Sequence, residues 1–181
     1  MTPGQFPDRL DAWVAETAQR ALGYAMTLTH NREDAEDIVH DCYLRLLAKS
    51  AEYDLPRDGA KLLFRSITNA CINRSQRRLP EQSLDQLEGA RGPTGHSLAD
   101  RRTIDPAQTA VQHELEKAVA EAMHQLPVTQ RAAVELRSLG HSLVEVGEIL
   151  EISHANARVM LHRARTALTS LLRPFIEDER R

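Results

Sequence analysis

The sequence predicts an all-α protein made of two small helical domains joined by a flexible linker, and three observations carry that prediction. Apolar residues recur at spacings of three and four through both ends of the chain, no run alternates apolar and polar residues for the length of a strand, and the middle segment loses the apolar period altogether.

In the first half, Leu10, Trp13, Val14, Ala18, Ala21, Leu22, Ala25 and Leu28 define one face of a helix. Asn31 offers a cap for the next, whose stripe runs through Ala35, Ile38, Val39, Cys42, Tyr43, Leu46 and Leu47. A third helix is expected from Ala60 to about Arg78 on Leu63, Phe64, Ile67, Ala70 and Cys71, with Pro56 and Gly59 marking the loop before it. A bundle of about three helices thus occupies residues 8–78.

Residues 79–107 hold Pro80, Gly89, Gly92, Pro93, Gly95 and Pro106 among Ser, Asp and Gln. That is the composition of a flexible connection. A second domain then spans 108–173. Val111, Leu115, Ala118, Val119, Ala122 and Leu126 restore the helical period, Pro127 suits the first turn of a helix that Gly140 ends, and Ser142 with Glu145 has capping-box spacing for a short helix through Leu150. After the turn Glu151, Ile152, Ser153, a last helix capped by Ser153 runs to about Leu172. Two helices across so short a turn make a helix-turn-helix.

Composition narrows the function. Hydrophobic residues at 41% and charged residues at 27% describe a soluble globular chain. No stretch approaches the ~18 apolar residues of a membrane span, and the N-terminus lacks a basic segment followed by an apolar run, so a cytoplasmic protein without membrane insertion is expected. Cys42 and Cys71 show no zinc spacing and read as small buried thiols. No phosphate-binding glycine loop or HExxH is present, and His40, Asp41 and Cys42 point apart on their helix. The expectation is no enzyme, no cofactor and no metal.

The net charge of −3 hides a segregated pattern. From Lys61 to Arg78 there are five basic residues and no acid, and from His154 to Arg173 four and no acid, whereas Arg32 to Asp41 holds five acids against one arginine. Local basic potential attracts phosphate whatever the total charge. In the last helix Ala157, Leu161, Ala164 and Leu168 share an inward face, while His154, Arg158, His162 and Arg165 project outward, as side chains that enter a major groove must. Asp34, Asp37 and Asp41, flanked by Glu33 and Glu36, are expected along one outward face of the second helix, beyond what a helix dipole calls for. That face suits a basic protein partner.

At this point the residues resemble a known family. The segment LTHNREDAEDIVHDCYLRLLAK, 28–49, is similar to the polymerase-binding helix of region 2 in extracytoplasmic-function sigma factors, and LPVTQRAAVELRSLGHSLVEVGEILEISHANARVMLHRARTAL, 126–168, is similar to their region 4. The resemblance implies a bacterial initiation factor that binds core RNA polymerase and directs it to promoters, with an anti-sigma factor as a further partner. It assigns polymerase binding to Asp34, Glu36, Asp37, Asp41 and Arg45. It assigns minus-10 contacts to Lys61, Arg65, Asn69, Asn73, Arg74, Arg77 and Arg78, with the loop Tyr53 to Asp58 helping to open the element. It assigns minus-35 reading to Ser153, His154, Asn156, Arg158, His162, Arg163 and Arg165. Three positions depart from the family pattern: Leu62 stands where tryptophan is common, Glu151 where glycine is common in the turn, and Met160 where a polar residue is common on the reading helix. Two alternatives remain open on sequence: a helix-turn-helix regulator acting without polymerase, and a sigma-like factor poor in melting DNA.

Overall fold

The computed structural model describes residues 5–78 and 106–178, which form seven helices. The first three are α1 (Gln5–Thr29), α2 (Arg32–Ala48) and α3 (Leu55–Arg78), and the remainder are α4 (Pro106–His124), α5 (Val128–Ser138), α6 (Leu143–Leu150) and α7 (His154–Asp178). No strand occurs among the described residues. The expected linker lies outside them, except that α4 already begins at Pro106, inside the segment assigned to the linker.

Local chemistry sets most boundaries. The Asn31 side chain accepts from the Asp34 backbone N–H at 3.0 Å and starts α2. Ser142 and Glu145 exchange both bonds of a capping box at the head of α6. Ser153 accepts from the Asn156 N–H at 3.2 Å and starts α7. Pro127 stands at the N-cap of α5 rather than in its first turn, and Gly140, at φ +93°, closes its other end in a conformation that a Cβ disfavours.

Two helices outrun expectation. α3 begins at Leu55, so Pro56 and Gly59 lie inside its first turns and not in a loop. Proline is tolerated there because its missing N–H would have no helical partner. Gly59 is required for a tertiary reason: a Cβ at this position would stand 2.8 Å from Trp13 Cε2, against a ring that is itself buried. Gly59→Ala is therefore expected to destabilise the bundle by about 1–3 kcal/mol through overpacking, read as a lower midpoint in urea unfolding; a midpoint at or above wild type would show that Trp13 moves aside freely. α7 continues past Leu172 through an internal Pro174 to Asp178.

In the first bundle Trp13, Tyr24, Ile38, Tyr43, Leu55, Leu63, Phe64 and Ile67 fill the centre. Two hydroxyl pairs bind the helices at fixed register, Thr17 with Tyr43 and Tyr24 with Thr68, each at 2.7 Å and buried. In the second, Ala157, Leu161 and Ala164 of α7 pack inward as predicted, with Leu168 partly buried beside them. The two bundles do not stand apart. α5 packs on α1 and α3, α6 packs on α3, and one buried cluster runs from Trp13 through Phe64 to Leu136, Val146 and Leu161. Thin cores of two small domains are thereby joined into one.

Candidate functional site

Three surfaces were expected to act, and the acidic face of α2 comes first. Glu36, Asp37, Asp41 and Arg45 are exposed, and Glu36, Asp37, His40 and Asp41 line a surface depression together with Arg74 of α3. Arg32 and Arg45 pair along the helix with Glu36 at 2.7 Å and Asp41 at 3.6 Å, while among the described residues no ion pair engages Asp37. Leu44, 54% exposed, adds an apolar side chain to the same side of α2. Asp34 corrects the expectation. It is buried, and its carboxylate accepts from the Arg74 guanidinium, tying the start of α2 to the end of α3. It cannot project outward with Asp37 and Asp41.

On α3, Lys61, Arg65 and Asn69 follow one another at intervals of four and form an exposed stripe that Asn73 and Arg77 prolong. Arg74 turns away from it toward Asp34, and the Arg78 side chain lies outside the described residues. Leu62 is partly buried and packs against the core. The loop before α3 is shorter than expected, since Leu55 to Asp58 are already helical and only the part through Asp54 is free of the helix.

On α7, His154, Asn156, Arg158, His162, Arg163 and Arg165 are all exposed, and Ser153 is spent on the cap. Met160 is partly buried against the core, so it does not share the reading face; the departure from the family pattern at this position concerns packing. The turn is tighter than a plain loop. Glu151 adopts φ +56°, ψ 38°, a left-handed conformation that costs a residue with a Cβ roughly 1 kcal/mol and that glycine adopts freely.

Between the bundles the structure shows contacts that sequence reading missed. Lys61 Nζ donates to Glu148 Oε2 at 2.5 Å, and the Arg65 guanidinium pairs with the Glu151 carboxylate. Arg131 is buried and aims its guanidinium at the carboxyl ends of two helices: it donates to the carbonyls of Leu28 at 2.9 Å, Met123 at 2.9 Å, His124 at 2.9 Å and Leu126 at 2.8 Å. Helix C-termini leave such carbonyls without intrahelical partners and carry partial negative charge. Burial lowers the Arg131 pKa to about 10, which leaves it charged at neutral pH. Arg20 Nη2 donates to the Leu139 carbonyl at 3.1 Å, and the Phe64 ring meets His141 edge-on. His30, in a left-handed turn after α1, lies against His124 with the two rings tilted at 42°, and desolvation with the charges of Arg131 and His124 lowers its pKa to about 4. Sequence signals for these contacts were faint: a glutamate in a turn that favours glycine was visible, but its partner 86 positions away was not.

Burial raises the Cys42 thiol to about 11 and the Cys71 thiol to about 12, so both stay protonated in the core. No group of His, Cys, Asp and Glu suited to a metal occurs among the described residues, and no helix there is long and apolar enough to cross a membrane.

Comparison with known proteins agrees with this partition. Residues 13–79 match the model of Sigma-70 region 2, and residues 116–168 match that of Sigma-70, region 4. The chain is 30% identical over 173 residues to the ECF RNA polymerase sigma factor SigW of Bacillus subtilis, covering 93% of this chain and 89% of the relative. It is 27% identical over 158 residues to SigM of the same organism, covering 86% and 90%. The solved structure of the sigma factor RpoE in complex with the anti-sigma factor NepR, from Bartonella quintana, shares the fold with a TM-score of 0.62 at 21% identity, covering 93% of this chain and 94% of that one. An all-α chain with an exposed acidic helix in one bundle and a helix-turn-helix in the other is, on these findings, a transcription initiation factor that binds polymerase and selects promoters. The chain belongs to the extracytoplasmic-function sigma factors of the sigma-70 family.

Proposed function

We propose that this sigma factor docks on core RNA polymerase through Glu36, Asp37, Asp41 and Arg45 of α2 and reads its promoter with two basic helices, α3 at the minus-10 element and α7 at the minus-35 element. One observation carries the reading: the acids of α2 and the bases of α7 are exposed on separate bundles, each with chemistry suited to a different partner. The domains are residues 8–78 and 108–173, and the linker between them threads the polymerase. The chain acts by binding and carries no chemistry of its own, in the cytoplasm where polymerase and promoters are found. An anti-sigma factor holds it in reserve, as NepR is bound to the RpoE relative. A regulator working without polymerase would leave the exposed acids of α2 without a role.

Arg158 supplies the test on the DNA side. Its side chain is exposed on the outer face of α7, one turn after His154, where a guanidinium reaches a base edge or a phosphate. Arg158→Ala is expected to weaken promoter binding by the holoenzyme about tenfold, in the range of one lost base or phosphate contact, while retention on immobilised core polymerase stays at the wild-type level. Equal losses in both assays would refute the division of labour between the bundles.

A further inference from the structure

One exposed side chain near the start of α7 serves neither the packing nor any contact assigned so far. Val159 is 47% exposed and lies in the first turns after the tight turn, among His154, Arg158 and His162. Among the described residues of this helix the other exposed large apolar side chain, Phe175, lies near the far end. A β-branched residue on a helix surface gives up rotamer freedom without packing to compensate. Single exposed valines are common and need no account unless their position supplies one. The place of Val159 around the helix supplies it.

The buried stripe of α7 is Ala157, Leu161 and Ala164, continued by the partly buried Leu168. Val159 is two residues from Ala157 and two from Leu161, so at about 100° per residue it stands half a turn away from the core. Ala155 and Thr166 share that outermost line, each two residues from a member of the stripe, and His162 lies beside it; all three are exposed. The Thr166 hydroxyl donates to the His162 carbonyl at 3.0 Å, which turns its polar group back on the helix. Methyl groups therefore dominate the middle of the face, and the cations stand to either side. Arg158 and Arg165 each follow a buried alanine and occupy one flank, while Arg163 precedes Ala164 and occupies the other with Asn156. A helix is about as wide as the major groove it enters. Its outermost line meets the floor, where base edges lie, and its flanks meet the phosphate walls.

We propose that Val159 is a specificity-determining residue that reads a thymine of the promoter through its C5-methyl group, with Ala155 short enough to let the helix approach and the arginines of both flanks holding it in register on phosphates. The proposal rests on the reading of α7 as the minus-35 helix. Thymine is the one base that presents a methyl group in the major groove. A base edge bearing only donors and acceptors would lose water against the valine and gain no hydrogen bond in return. The stiff χ1 of valine holds its methyl groups in one orientation, so the contact forms with little ordering cost. Charge on this helix thus supplies affinity, and the apolar centre supplies a choice of base.

The test uses holoenzyme formed from core polymerase and the full chain. Wild type selects bound duplexes from a pool of random sequence, and the thymines in the upstream element of the selected duplex are replaced one at a time by deoxyuridine, which lacks only the methyl group. At one thymine the replacement is expected to weaken wild-type binding about fourfold, the contribution of one buried methyl. The same replacement is expected to leave Val159→Ala unaffected, because its side of the contact is already gone. Val159→Ala is expected to bind the thymine duplex about fourfold more weakly than wild type, with retention on core polymerase unchanged. An upstream element without thymine, or one whose every thymine tolerates deoxyuridine, would overturn the proposal, and a loss on Arg158→Ala would then still keep α7 as the reading helix. Equal losses from deoxyuridine in wild type and Val159→Ala would assign the methyl group to another residue or to the shape of the duplex, and would overturn the role of Val159. Binding indifferent to Val159→Ala and Arg158→Ala alike would overturn the reading of α7 itself, and the thymine contact with it.

Discussion

Arg131→Ala is expected to lower the melting temperature of the free protein by about 6–12 °C. The guanidinium is buried and donates to the Leu28, Met123, His124 and Leu126 carbonyls, so truncation strands several acceptors that belong to helix ends. Charge-assisted hydrogen bonds contribute about 1.5–3 kcal/mol, and a buried group left unsatisfied costs about 1–3 kcal/mol; a loss of roughly 3 kcal/mol corresponds to about 2–4 °C per kcal/mol for a chain of this size. Arg131→Lys is expected to recover little, since an ammonium lacks the planar fork that reaches both helix ends. Thermal unfolding followed by circular dichroism checks both variants. A shift below about 2 °C for the alanine variant would mean that water enters and satisfies the carbonyls in place of arginine.

Asp37→Arg is expected to reduce retention on core polymerase at least tenfold, with no change in melting temperature beyond what an exposed substitution produces, about 0.5 kcal/mol. Asp37 is exposed, no ion pair engages it among the described residues, and it is flanked on its face by Glu36 and Asp41. Reversal changes the local charge by two units in the centre of the proposed docking face, where like charges brought together cost several kcal/mol. Co-purification of tagged wild type and variant with core polymerase reads the effect, and Asp11→Arg on the exposed side of α1 serves as a charge-matched control. Loss of retention in the control as well would place the interaction in the overall charge of the first bundle and not in α2.

What the sequence made legible follows from the range over which each signal acts. The caps at Asn31, Ser142 and Ser153 were readable because a side chain and the N–H it serves lie three residues apart. The inward face of α7 was readable because its period is built into the helix. The start of α3 was misread at Pro56 and Gly59, since both residues also punctuate loops and only the packing of Trp13 explains the glycine. Asp34 was misplaced because helical period gives a direction around the axis and says nothing of Arg74, 40 positions later, waiting to receive its carboxylate. Arg131 and the pairs of Glu148 and Glu151 were out of reach for the same reason: each depends on how two bundles meet.

The hydroxyl pairs in the first bundle bear on what the protein does under load. Thr17 with Tyr43 joins α1 to α2, and Tyr24 with Thr68 joins α1 to α3. An aliphatic contact degrades gradually when one helix slides along another, whereas a buried hydroxyl loses its partner within about an ångström and has no water to turn to. The bundle thus behaves as a keyed joint with a single seating. Helices held in that way keep their exposed faces at one fixed angle and height relative to each other, so a partner that binds across them meets a single surface.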